Sequence, residues 1–90
     1  LSATSVIVPP ANPTTTIRYT VPSKGRVTVQ IYDARGARVA TLVNAEKDAG
    51  AYTQAWNGRE GSNRAVSSGV YFARVSHESG TRTYKMVLLK

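Results

Sequence analysis

Few side chains in this sequence could take part in acid–base or nucleophilic chemistry. His77 is the only histidine, and it lies beside Glu78 in a segment that we predict to be a solvated turn. A nucleophilic serine needs a base within hydrogen-bond reach. The sequence offers no second histidine for this role, and no serine lies in a nucleophile-elbow motif. The five acids fall in separate predicted loops and form no carboxylate pair: Asp33, Glu46, Asp48, Glu60 and Glu78. We therefore expect that the chain is not an enzyme.

One loop has oxygen-bearing side chains at a spacing that could hold calcium. Asn57, Glu60, Ser62 and Asn63 supply them within seven residues. A single acid is few for a hard cation, which prefers several carboxylates. The residues favour the alternative, in which asparagine side chains bond to the local backbone of a turn. We predict no metal and no cofactor.

Two aromatic side chains could form a small binding platform. Tyr32 and Phe72 fall on the outward phase of two predicted strands. If the two strands are neighbours, the rings could receive a sugar. The alternative is a cross-strand pair that only packs on the sheet.

The last six residues form a short apolar run between two lysines. In Lys85–Lys90, Met86 and Leu88 alternate with Val87 and Leu89, which predicts a strand. Such a strand can complete a sheet, or its end can be recognised by a partner through strand addition. We favour sheet completion for Met86 and Leu88, and recognition for the end of the segment. The flanking lysines limit unwanted edge pairing and could meet anionic groups.

Composition restricts the class of protein. Ninety residues make one domain, and the absence of cysteine excludes disulfides and thiolate metal sites. No apolar run approaches the roughly 20 residues of a membrane helix, and no signal peptide opens the chain. Because Leu1 stands where a complete protein has Met, we expect a piece of a larger protein.

The chain is basic, with a net charge of +7. Proteins that bind nucleic acid usually concentrate their cations on one face or helix. The arginines are instead scattered singly along the sequence, from Arg18 to Arg82. We predict a dispersed solubilising shell and no nucleic-acid partner.

Alternation of apolar and polar residues predicts strands over six segments: 15–21, 26–33, 38–43, 51–56, 69–76 and 81–89. The imperfect pattern of the third indicates a bulge or an edge position. A short apolar run at 6–8 makes residues 1–8 a linker or a short first strand, and residues 9–90 the folded domain. A short helix at 44–48 is an option that no capping residue supports. The fold class is all-β, an antiparallel immunoglobulin-like β-sandwich of about seven strands.

Two connections and one side chain can be placed within this sandwich. The turn at 22–25 predicts a hairpin between the first two strong strands, with a connection between sheets as the alternative. Gly36 suits the positive φ that the next turn requires. Trp56, the only tryptophan, is expected to be the largest side chain of the core.

Several motifs in a fixed order resemble a known family. They are Asn12-Pro13 before Thr14–Tyr19, Val27–Asp33 before Gly36, Val39–Val43, Gly50, Trp56–Arg59, Ser68–Phe72 and Lys85–Lys90. The order is similar to the type A C-terminal sorting domain of type IX secretion, and to the related immunoglobulin-like domain of the flagellar hook-capping protein. Asn57 and Gln54 depart from the sorting family, which often has Asp and an apolar residue there.

The resemblance to the sorting domain implies a function. It implies a non-catalytic module that directs a larger secreted protein across the outer membrane and attaches it to the surface of a Gram-negative bacterium. The implied partners are the type IX translocon, its sortase-like machinery, anionic lipopolysaccharide and an upstream catalytic or adhesive domain; we expect a monomer. The implied signal residues are Gly69, Tyr71, Lys85, Met86, Val87, Leu88, Leu89 and Lys90.

Two other functions remain open at this point. One is an accessory carbohydrate- or cell-wall-binding module of a secreted glycoside hydrolase, for which Tyr32 and Phe72 would carry the sugar. The other is a flagellar or structural assembly domain.

Overall fold

The structure is a computed structural model that describes residues 2–8, 14–61 and 64–88. Seven strands account for most of these residues: β1 (Ser2–Val8), β2 (Thr14–Val21), β3 (Gly25–Asp33), β4 (Arg38–Lys47), β5 (Gly50–Trp56), β6 (Gly69–His77) and β7 (Gly80–Leu88). No helix that could span a membrane occurs in these residues.

The strands form two antiparallel sheets. One has the order β1-β2-β5, and the other has the order β4-β3-β6-β7. The two sheets enclose one core, so the predicted immunoglobulin-like β-sandwich is confirmed. Residues 2–8 pair with β2 along their whole length. The domain boundary predicted after residue 8 adjoins residues 9–13, which lie outside the described residues, and it stays a prediction.

The predicted hairpin between β2 and β3 is wrong, because these strands belong to different sheets. The turn at 22–24 carries the chain across the sandwich. Ile17, Tyr19 and Val21 in β2 are buried on one side of the core, and Val27 and Ile31 in β3 on the other. A hairpin and a crossing give the same alternation, since in both cases every second residue faces the one core.

β4 is longer than its sequence pattern indicates. It runs to Lys47 and pairs with the start of β3, so the optional helix at 44–48 is absent. Ala45 packs against the core from this added part of the strand. The sequence predicts one bulge, and the structure has two: Leu42 and Val39 each lack a register partner in β3. β4 is also an edge strand.

The β3–β4 turn is organised by the carboxylate of Asp33. Its Oδ1 accepts the backbone N–H groups of Arg35 at 2.9 Å and Ala37 at 3.0 Å, and its Oδ2 lies 3.2 Å from the Arg35 guanidinium. Gly36 has φ of 86°, which confirms the predicted positive φ. The N–H of Ala37, helped by Arg35 and opposed by partial desolvation, lowers the pKa of Asp33.

We expect the Asp33 charge to make the stability of the domain depend on pH in the acid range. Because the folded-state pKa is lowered, this contribution is fully present above about pH 4, the ordinary range of an aspartate, and disappears as the pH falls through the folded-state value. Asp33→Asn keeps an oxygen that can accept both N–H groups but removes the charge. Urea unfolding at several pH values should therefore show a larger free energy of unfolding for wild type than for Asp33→Asn at pH 6. The difference between the two should shrink as the pH is lowered towards 2. A constant difference would contradict this.

Candidate functional site

The structure brings together the residues that the sorting resemblance singled out. In the β6–β7 pair, Gly69 lies opposite Leu88, and Tyr71 lies opposite Met86. They occupy the end of the hairpin where β7 finishes. Leu89 and Lys90 lie outside the described residues.

The terminal strand follows the expected alternation. Met86 and Leu88 are 2% and 3% exposed and belong to the core, whereas Lys85 and Val87 face solvent. The favoured interpretation of Met86 and Leu88 as sheet completion agrees with this burial. The assignment of the segment as a signal stays a prediction, and the comparisons below remove the function on which it rested.

Tyr71 is an anchor within the fold. Its hydroxyl donates to the carbonyl oxygen of Ser67 at 2.7 Å, four residues earlier, as in the tyrosine corner of immunoglobulin-like sandwiches. Its ring meets Trp56 of the other sheet edge-on, with centroids 5.2 Å apart. Burial raises the pKa of the Tyr71 phenol, and the nearby negative charge of Asp33 adds to this. The phenol is therefore neutral and a hydrogen-bond donor at physiological pH.

Tyr71→Phe is expected to lower the free energy of unfolding by about 0.5 to 1.5 kcal/mol, the net value of one such hydrogen bond. The ring remains, so packing against Trp56 is kept. Urea denaturation measures the change. Tyr84→Phe is the matched control, because the structure shows no hydrogen-bond partner for the half-buried Tyr84 among the described residues. Equal losses in the two variants would contradict the assignment.

The loop after β5 is held by hydrogen bonds to backbone carbonyl groups. The indole N–H of Trp56 donates to the Arg59 carbonyl at 2.8 Å, and the N–H of Gly61 donates to the Val39 carbonyl at 3.0 Å. Glu60 is the only acid of the loop, and its Oε1 lies 4.0 Å from Nε of Arg64. Ser62 and Asn63, two of the candidate calcium ligands, lie outside the described residues. Within the part that is described, no group of three His, Cys, Asp or Glu side chains could hold a metal ion.

His77 is not the solvated turn residue that the sequence indicates. It is the last residue of β6 and is only 7% exposed. Its Nδ1 accepts the backbone N–H of Ser79 at 3.0 Å and lies 2.8 Å from the Ser79 hydroxyl. Since Nδ1 accepts, the proton of the neutral ring is on Nε2, which is buried without a partner. The ring thus fixes the β6–β7 turn.

The solvent-facing side of the four-stranded sheet carries an organised surface, part of which the sequence predicts. Register partners place side chains on the same side of a sheet. One cross-strand row, the aromatic row, runs from edge to edge as Arg38, Tyr32, Phe72 and Lys85. The next, the polar row, is Thr41, Gln30, Arg74 and Thr83. Tyr32 and Phe72 are therefore direct neighbours, as the binding-platform hypothesis required.

These two rows form a shallow, positively charged surface, here called the outer face. Tyr32 and Phe72 are half-buried, and the Tyr32 hydroxyl donates to Gln30 Oε1 at 2.9 Å. A depression of about 390 Å³ over the rings is also lined by Gly36, Arg74, Thr81 and Thr83. Arg38, Arg74 and Lys85 are exposed. The sequence analysis missed that these three cations lie on one side of the sheet, because they come from three different strands.

The strand order and the inter-sheet core define an immunoglobulin-like sandwich of the kind found in structural and adhesive proteins. Comparison with known families then specifies the class. The sequence profile of the FlgD Ig-like domain matches residues 11–81, and the chain belongs to this family. The family is one of non-enzymatic structural domains.

A solved structure agrees on the fold. The crystal structure of FlgD from P. aeruginosa superposes with a TM-score of 0.67 over 93% of this chain, at 23% identity. The chain spans 65% of that FlgD chain. A search of curated proteins found no match.

The comparisons correct the functional predictions. The resemblance to the hook-capping domain is supported, but nothing supports the sorting domain of type IX secretion. The predicted sorting function, the carbohydrate-binding alternative, the translocon and sortase-like partners and the outer-membrane surface location are all contradicted by the FlgD family match. The motifs behind the error are structural: Gly36 forms a turn, and Trp56 and Tyr71 join the sheets.

Proposed function

We propose that this chain is a flagellar assembly domain of the hook-capping type. It acts as a non-enzymatic module that binds protein partners during assembly of the hook. It supplies a rigid sandwich whose exposed faces make the contacts. Its partners are components of flagellar hook assembly.

The observation that carries this proposal is the match to the FlgD Ig-like domain across residues 11–81, most of the chain. The similarity to FlgD from P. aeruginosa supports the same fold over nearly the full length. The structure adds a well-packed core and a surface of cations and aromatic rings suited to protein contacts.

Deletion of the codons for residues 14–88 from the gene that encodes this chain, in its own organism, tests the proposal. We expect cells that lack complete hooks in electron micrographs and do not swim. Arg18→Glu, a substitution at an exposed position of β2, should leave hooks intact and serves as the control. Normal hooks in the deletion strain, with the deletion confirmed by sequencing, would overturn it.

A further inference from the structure

We infer that the outer face binds an acidic, extended segment of a protein partner, with an apolar side chain of that segment seated over Tyr32 and Phe72. This inference rests on the proposed function only for the partner being a protein. It adds where that partner binds and what chemistry recognises it.

The charge of the outer face favours an anionic occupant. Arg38, Arg74 and Lys85 are exposed, and the two rows contain no acid. Three ion pairs lie outside these rows: Lys24 with Glu46, Arg35 with Asp33, and Arg64 with Glu60. Within these two rows the three cations have no acid beside them, and carboxylates of a partner would lower their mutual repulsion.

The aromatic pair favours an apolar side chain of the partner, placed between two acidic side chains. Tyr32 and Phe72 occupy the middle of the aromatic row, with Arg38 and Lys85 at its two ends. The depression over the rings has room for one side chain. The Tyr32 hydroxyl is held by Gln30, so its ring is fixed in place before binding. A preorganised ring loses little conformational entropy when it is covered.

The spacing fits an extended peptide laid across the strands. Neighbouring strands are about 4.8 Å apart, so the four positions of the aromatic row span about 14 Å. In an extended chain, alternate side chains on one face repeat about every 6.8 Å. An acidic residue, an apolar residue two further on and a second acidic residue after two more also span about 14 Å. The two acids would reach Arg38 and Lys85, and the apolar side chain would cover the rings.

Other occupants fit this surface less well. A second copy of the chain would bring two cationic faces together, and the net charge of +7 makes this costlier. Single-stranded nucleic acid is typically bound by a series of aromatic side chains on which successive bases stack, whereas this surface offers one half-buried pair. Both are kept as outcomes of the test below.

The test measures binding of short fluorescent peptides to the 90-residue chain by fluorescence anisotropy. The probe is Gly-Glu-Ser-Phe-Ser-Glu-Gly, which has the required spacing. The permuted peptide Gly-Glu-Glu-Phe-Ser-Ser-Gly has the same composition without it. We expect the spaced peptide to bind at least fivefold more tightly than the permuted one, and to weaken as salt is raised.

Charge reversal on two faces supplies the matched comparison. Arg74→Glu on the outer face should weaken binding of the spaced peptide at least tenfold. Arg18→Glu makes the same change of net charge on β2, in the other sheet, and should change binding less than twofold. Phe72→Ala should weaken binding without altering the net charge. Circular dichroism confirms that each variant is folded.

Four results would overturn the inference. The first three are an equal loss from Arg74→Glu and Arg18→Glu, self-association of the chain through this face, and tighter binding of a single-stranded oligonucleotide with the same dependence on Arg74. Absence of peptide binding at millimolar concentration would also overturn it and leave Arg38 and Lys85 as charges that protect the sheet edges. A hook defect on deletion without peptide binding would refute this inference alone. Peptide binding with normal hooks would refute the proposed function alone.

Discussion

Trp56→Ala should lower the free energy of unfolding by about 3 to 5 kcal/mol, the range for removal of a buried aromatic side chain. Trp56 is only 1% exposed and is among the largest fully buried side chains. It joins the sheets through its edge-on contact with Tyr71, and its indole N–H holds the Arg59 carbonyl. The substitution removes the packing and the hydrogen bond together.

Urea denaturation followed by circular dichroism measures this loss. A domain of this size is stabilised by roughly 5 to 13 kcal/mol, so the loss expected for Trp56→Ala is a substantial share of the total. Trp56→Phe provides a second variant that stays folded. It keeps a ring in the core, loses the indole N–H and should cost about half as much. A loss below about 1 kcal/mol for Trp56→Ala would contradict the role assigned to this side chain.

Gly25→Ala should lower the free energy of unfolding by about 1 to 3 kcal/mol, as overpacking of a filled interior does. A Cβ at Gly25 would lie 2.8 Å from Nε2 of His77, closer than such atoms approach in proteins, and 3.3 Å from its Cδ2, which is also a tight contact. The His77 ring cannot move away freely, because its Nδ1 is bonded to Ser79 in the β6–β7 turn. The added methyl group must therefore displace either the turn or the start of β3.

A double-mutant cycle isolates this contact. His77→Ala removes the ring, so Gly25→Ala should cost at least 1 kcal/mol less in the His77→Ala background than in wild type. Gly61→Ala is the control, because no atom lies within 4 Å of its added Cβ, and we expect a change below about 0.5 kcal/mol. Strictly additive losses at Gly25 and His77 would show that the two residues do not compete for space.

Much of the fold follows from local pattern. The alternation of Ile17, Tyr19 and Val21 and of Met86 and Leu88 predicts which side chains are buried, and the structure agrees. The alternation of apolar and polar residues cannot show which strands pair, because it shows only which side of each strand is buried. This is why β2 and β3 were expected in one hairpin although they lie in different sheets.

The candidate site was harder to predict for the same reason. Arg38, Arg74 and Lys85 are dispersed in sequence, and it takes the pairing of β4 with β3, of β3 with β6 and of β6 with β7 to place them on one face. His77 looked solvated because its neighbours are polar, yet β3 begins beside it at Gly25. The sorting resemblance failed because its turn glycines and aromatic residues are requirements of the sandwich, and related sandwiches with other functions share them.

The crossing from β2 to β3 also governs how fast the domain can fold. Consecutive strands pair only in β1–β2, β3–β4 and β6–β7, and such hairpins form in about 1 to 10 μs. The sheets are completed by β2 with β5, where Thr15 meets Trp56, and by β3 with β6, where Thr28 meets Ser76. Each of these pairings closes a loop of dozens of residues, so the main refolding phase should fall between milliseconds and seconds. The fluorescence of Trp56, which packs against Tyr71 of the other sheet in the folded domain, would record that phase in a stopped-flow experiment.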